Sequence, residues 1–167
     1  MVEQFPIYGL ALKLVGWMPG VLLRMRYTEV RLADLIYFDF MPRSESAWIN
    51  LGQAPSVRLG LQLINLSPFE IELDRANLKF NVGGATLNLA ELNRTKVGSA
   101  QVAHLFLEAP LSDGHANLLA RDVPDVRAWL DGRIDFNCKV RPFAKQIRSL
   151  QEVQLKIVNA HMRRSDA

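Results

Sequence analysis

The sequence predicts an all-β domain: an antiparallel β-sandwich, immunoglobulin/fibronectin-like in layout. Seven to eight strands are expected, with one short helix and an N-terminal apolar helical segment. Three observations carry this. First, residues 57–82, VRLGLQLINLSPFEIELDRANLKFNV, place apolar side chains at alternate positions. Val57, Leu59, Leu61 and Leu63 are followed by Phe69, Ile71 and Leu73, then by Ala76, Leu78, Phe80 and Val82. Successive side chains of a strand point to opposite faces, so this is a sheet with one dry face and one wet face. Second, turn formers recur every 8–15 residues along the chain. Third, a sheet that is dry on one face must bury it against another layer.

At 167 residues the chain suits one domain with a sizeable core. Hydrophobic residues make up 49% and charged residues 22%, a folded composition without low-complexity tracts. Cys138 is the only cysteine, which excludes an intramolecular disulfide and a cysteine-based metal site. It shares the apolar phase of Ile134, Phe136 and Val140 and reads as a small core residue. The net charge of +3 is unevenly spread: +2 over residues 1–26, −4 over 27–138 and +5 over 139–167. Positive ends around an acidic body suit an anionic surface such as lipid headgroups, and equally a solvated face with a basic tail.

Residues 5–23, FPIYGLALKLVGWMPGVLL, hold Lys13 as their one charge. Fully helical, they would span roughly 28 Å at 1.5 Å per residue, near the thickness of a bilayer core. Lys13 at the midplane and Pro19 in the ladder argue against a plain transmembrane span. A helix to about Met18 followed by a bend aligns Leu10, Leu14, Trp17 and Val21 in one stripe. Phe5 opens the segment, Leu22 extends it, and Arg24 and Arg26 close it as a headgroup-level flank or a helix C-terminus. These residues form the candidate docking segment, residues 1–26. No basic n-region and no A-x-A-like site mark it as a secretory signal.

The rest follows in order. Residues 27–40 read as a first strand, 41–47 as loop, and Trp48–Leu51 as a short edge segment. Asn65-Leu-Ser-Pro68 is a turn, and Gly83-Gly84 a tight hairpin turn without the phosphate-cradling context of a nucleotide loop. Asn93–Ser99 is a polar, basic loop, and Gln101–Leu111 a strand stopped by Pro110 and Ser112-Asp-Gly114. Helix punctuation marks residues 122–132: Asp122 at the N-cap, Pro124 in the first turn, Gly132 at C′. Val126, Trp129 and Leu130 then form its apolar stripe. Arg133–Arg141 alternates again, Pro142 interrupts, Ser149–Val158 is the last strand, and residues 161–167 are a polar tail.

In this order the elements resemble the late-embryogenesis-abundant group 2 proteins, or WHy (water stress and hypersensitive response) domain, over residues 27 to about 160. The most specific part is VRLGLQLINLSPFEIEL, a strand running into an Asn-Pro turn and back out, with Asn65 and Pro68 separated by two residues instead of adjacent. The Gly83-Gly84 hairpin, the basic loop, the Val102–Leu111 strand, the helix at 124–131 and the GRIDFN strand follow in place. The resemblance implies a small sandwich without catalytic machinery, tied to stress protection, membrane association or interaction. Asn65, Pro68, Gly83 and Gly84 carry structural turn roles only. Residues 5–23 occupy the place of that family's N-terminal anchor.

No enzyme is expected. His104, His115 and His161 share no metal-ligand spacing, and Ser112, Asp113 and His115 crowd one turn rather than a triad. No cofactor, metal or small-molecule substrate is indicated. Nucleic acid is not expected either, since Arg141, Lys145 and Arg148 have only Phe143 among them as an aromatic platform. The expected partner is a lipid membrane, or protein subunits of a larger assembly, met through residues 5–23. Carriage of a lipid between the sheets is a further alternative.

Overall fold

The computed structural model describes residues 20–42, 46–91, 94–121, 127–151 and 153–164. Among these, most residues are in strands, arranged in two sheets with one shared apolar core. Helix α1 (Gly20–Arg26) leads into α2 (Glu29–Asp34). The strands are β1 (Ile36–Phe40), β2 (Ala47–Asn50), β3 (Ser56–Asn65), β4 (Ile71–Val82), β5 (Ala85–Glu91), β6 (Thr95–Val97) and β7 (Gln101–Pro110). Helix α3 (Asp113–Arg121) precedes β8 (Ala128–Cys138), β9 (Phe143–Leu150), β10 (Leu155–Val158) and the single turn α4 (His161–Arg164).

Each sheet is built on one long strand. β3 has β7 along its whole length on one side, and β1 and β2 end to end on the other. β4 has β8 on one side, and β5 and β6 end to end on the other. β9 extends the second sheet beyond β8, and β10 extends the first beyond β2. The alternating stretch therefore supplies the centre of both layers, and residues 66–70 carry the chain from one to the other. Val57, Leu59, Leu61, Leu63, Ile71, Ala76, Phe80 and Val82 are all fully buried. At about 25 cal/mol per Å² of apolar surface, this alternation is the main force that selects the two-layer arrangement.

The Gly83-Gly84 turn is as expected. Both glycines have positive φ, 52° and 80°, which the two-residue hairpin turn between β4 and β5 requires. The Asn65–Pro68 turn is also present, with Asn65 fully buried and Pro68 half-buried. Asn65 does more than turn the chain. Its Nδ2 donates to the carbonyls of Phe69 (2.7 Å), Val97 (3.0 Å) and Gly98 (2.9 Å). Its Oδ1 accepts from the Ser67 amide (3.0 Å) and hydroxyl (2.6 Å). One side chain thus ties the β3–β4 crossing to the β6–β7 turn.

Several expectations are corrected. Residues 27–40 are not one strand: Thr28 Oγ1 accepts from the Arg31 amide (3.3 Å) as an N-cap, and α2 forms before β1 starts. Trp48–Leu51 is no edge, because β2 lies between β3 and the parallel strand β10. The pairing is therefore not wholly antiparallel. Thr95–Val97, inside the expected basic loop, pairs with β4 as β6. The helix placed at 124–131 falls partly outside the described residues, but Trp129 and Leu130 belong to β8. Gly132 is no helix C′ residue; it sits at φ 146° beside a bulge between β8 and β9. The helix of this region is instead α3. The expected last strand is divided between β9 in the second sheet and β10 in the first. The segment read as a polar tail carries α4. Cys138 is half-buried against the core rather than inside it.

Candidate functional site

Phe5, Leu10, Leu14 and Trp17 of the predicted docking segment lie outside the described residues. Val21, Leu22, Arg24 and Arg26 lie on α1. Val21 is 71% exposed, Leu22 49% and Met25 72%. Val30, at the start of α2, is 72% exposed. Four large apolar side chains thus face solvent on two adjoining short helices. Scattered surface hydrophobes are ordinary, but these four fall within residues 21–30.

This patch is held to the body. Leu23 packs against the core from the opposite side of α1. Tyr27, which follows α1, is buried, its amide donating to the Leu23 carbonyl (2.8 Å). Its ring meets that of Phe69 edge-on at 4.9 Å, at the start of the second sheet. The C-terminal end of α1 gathers two arginines that the sequence alone does not bring together. Arg141 Nη2 donates to the Arg24 carbonyl (2.9 Å), and Arg31 Nη1 to the Arg26 carbonyl (3.4 Å). Orphan carbonyls at a helix C-terminus attract cations in this way. Arg141 lies in the β8–β9 connection, and only the tertiary fold reveals that it faces α1. The guanidinium of Arg31 also stands 5.7 Å from the centre of the Tyr27 ring.

Next to this end, Lys145 on β9 donates from Nζ to the Ala33 carbonyl (2.9 Å). Burial lowers its pKa below the ordinary 10.5, and the Asp34 carboxylate pulls in the opposite direction.

Other surfaces are less concentrated. On the outer face of the first sheet, Arg58 lies 4.7 Å from the centre of the Phe106 ring, and Lys156 lies 5.8 Å from that of Trp48. Glu108 stands opposite Arg58 in the β3–β7 ladder, so the face mixes both signs of charge. A surface cleft of about 420 Å³ is bordered by Phe69, Glu70, Lys96, Cys138 and Lys139. Another of about 460 Å³ lies by Leu51, Asp113, Asn117 and Arg163. Between the sheets, Phe80, Phe136, Leu59 and Leu61 fill the interior. Among the described residues no three His, Cys, Asp or Glu side chains come together as a metal-ligand set, and no helix is long and apolar enough to cross a membrane. His104, His115 and His161 sit on β7, α3 and α4.

No family model matches this sequence, and no curated protein matches it. Solved structures do align with it. One is a structural-genomics target solved by X-ray, with a TM-score of 0.43 at 10% identity, over 71% of this chain and 83% of that one. A protein from Archaeoglobus fulgidus aligns with a TM-score of 0.36 at 11% identity, over 71% of this chain and 97% of its own. A candidate late embryogenesis abundant (LEA) protein, solved in solution, aligns with a TM-score of 0.43 at 10% identity, over 89% of this chain and 91% of its own.

Proposed function

We propose that this chain is a non-enzymatic, WHy-type β-sandwich module that works at a lipid surface, in stress protection or interaction, and docks through its N-terminal segment. The observation that carries the docking role is the exposure of Val21, Leu22 and Met25 on a helix pinned from its other side by Leu23 and Tyr27. An apolar face held outward, with arginines at its end, is what an interfacial segment presents to the boundary of headgroups and acyl chains. Each such side chain withdrawn from water contributes about 1.5 kcal/mol or more. The WHy assignment rests on the pattern of residues 27–160, above all the strand–turn–strand around Asn65 and Pro68. The immunoglobulin/fibronectin-like layout belongs to the same proposal, supported by two sheets on one core.

Flotation of the full chain with liposomes, with and without anionic lipid, tests it. The full chain should rise with the vesicles. A variant with Val21→Ser, Leu22→Ser and Met25→Ser should stay below while melting at the same temperature, since all three side chains are exposed. A full chain that stays below with every composition and self-associates instead would replace the membrane with protein subunits as the partner.

A further inference from the structure

We infer that Arg31 and Arg141 join Arg24 and Arg26 in one cationic site for the phosphate groups of anionic lipids, so that the folded body, and not only its N-terminal flank, faces the membrane. The inference rests on the docking role proposed above and adds both the lipid class and the residues that select it.

Two guanidinium groups, those of Arg141 and Arg31, meet the C-terminal end of α1, the turn from which Arg24 and Arg26 project. Arg24 and Arg26 close α1, and their backbone carbonyls hold the guanidinium groups of Arg141 and Arg31. Among the described residues, none of the four has a carboxylate within ion-pair distance; the ion pairs lie elsewhere, at Arg94, Lys96, Arg133 and Arg163. Glu29 and Asp34, on the adjoining α2, form no ion pair with them, and Asp135, the acid nearest Arg141 in sequence, pairs with Arg133. Each guanidinium has five N–H donors. Arg141 spends one on the Arg24 carbonyl, while its Nε is shielded from water without a partner. The charges of Arg31 and Arg141 thus meet the end of α1 with no carboxylate to balance them, and an anion bound there would do so. Phosphate suits the planar fork of arginine, which can bond two of its oxygens at once.

Position gives the second argument. The exposed apolar side chains Val21, Leu22, Met25 and Val30 are on the same two helices as Arg24, Arg26 and Arg31. An interfacial segment buries its apolar side chains at the acyl boundary and leaves its cations at headgroup depth. The charge and the apolar surface therefore fit the same occupant: a bilayer with anionic headgroups.

The test uses the full chain, with vesicles of phosphatidylcholine alone or mixed with phosphatidylserine, and the variants Arg26→Gln, Arg31→Gln and Arg141→Gln. The parent should bind mixed vesicles more tightly than neutral ones, and high salt should erase the difference. Each variant should lose about fivefold in apparent affinity for mixed vesicles and keep its residual binding to neutral ones. Arg31 is exposed, so Arg31→Gln carries the test if Arg141→Gln melts early. If Arg31→Gln and a folded Arg141→Gln bind like the parent while Arg26→Gln weakens, the flank acts alone and the inference fails. Equal flotation of the parent with both vesicles overturns the lipid selectivity but leaves the docking role standing. Absence of flotation with either overturns both.

Discussion

At the scale of single residues, Asn65 is held by bonds on both ends of its amide. It is fully buried, and its amide supplies donors to three carbonyls and an acceptor to Ser67. Asn65→Asp keeps the shape but turns a carboxylate toward those carbonyls, so a loss of about 3 kcal/mol or more is expected in urea unfolding. A midpoint unchanged from the parent would show that the network contributes little. Gly132 is constrained by space as well as by φ. A Cβ there would collide with the Asn77 carbonyl and come within 2.8 Å of the Leu78 Cα, both backbone atoms of the partner strand. Gly132→Ala should therefore cost about 2 kcal/mol or more, read as a lower melting temperature. Lys145 gives a dependence on pH. Its folded pKa lies below 10.5, so between that value and 10.5 the unfolded chain holds more protons than the folded one. Stability should then rise with pH across the interval, the penalty being complete below the folded pKa. Lys145→Met should flatten this rise in a series of thermal melts; an equal slope in both proteins would place its cause elsewhere.

Elements show where local sequence suffices and where it does not. The strands around residues 57–82 are legible because burial imposes a period of two on them. Even the irregularity is written there: the apolar phase slips between Leu73 and Ala76, and the β4–β8 ladder shifts register between Leu73 and Arg75. Residues 128–131 are harder. Trp129 and Leu130 fit a helical stripe with Val126, but Leu130, Ile134 and Phe136 also fit one face of a strand. Pairing along β4 decides for the strand, a tertiary influence that local propensity does not contain. In α3 the helical signs are present but short. Ser112 Oγ accepts from the His115 amide (3.3 Å), Asp113 opens the first turn, and Ala116, Leu119 and Ala120 are buried at helical spacing. The Asp-Gly pair, read as a strand terminator, hides them. The docking of α4 depends on Arg163, whose guanidinium reaches the carbonyls of Leu51 and Gly52 (both 2.8 Å), Asn117 Oδ1 (3.2 Å) and Asp113 (2.7 Å). Its side chain is only 13% exposed. Arg163→Ala should cost about 2 kcal/mol in chemical denaturation, and Arg163→Lys should recover only part, since an ammonium cannot span both carbonyls in a fixed fork. Full recovery by lysine would reduce the contact to a simple charge.

At the scale of the whole molecule, the candidate site is legible only in part. Arg24 and Arg26 can be read beside an apolar run, but Arg141 joins them only because β8 and β9 bring it back to α1, a long-range consequence of pairing. The same kind of closure shapes the first sheet. β10 pairs in parallel with β2 and so fastens residues 155–158 to residues 47–50. In its place β10 covers the backbone edge of β2, a strand that contributes the fully buried Ala47 and Ile49, and Lys156 lies over the ring of Trp48. Without β10 that edge is open beside a half-exposed tryptophan, a template for pairing with another chain. A chain ending at Gln151 should therefore lose cooperative stability and associate, seen as rising light scattering on concentration. Truncation also removes Arg163 and α4, so Ile157→Pro in the full chain separates the two effects. Proline denies the ladder a donor and disturbs β10 while leaving the Arg163 contacts available. If Ile157→Pro associates as the truncated chain does, the cover that β10 gives the β2 edge is what limits self-association. If it stays monomeric and melts with the parent, β10 is a passenger on the sheet, and the consequences of truncation belong to α4.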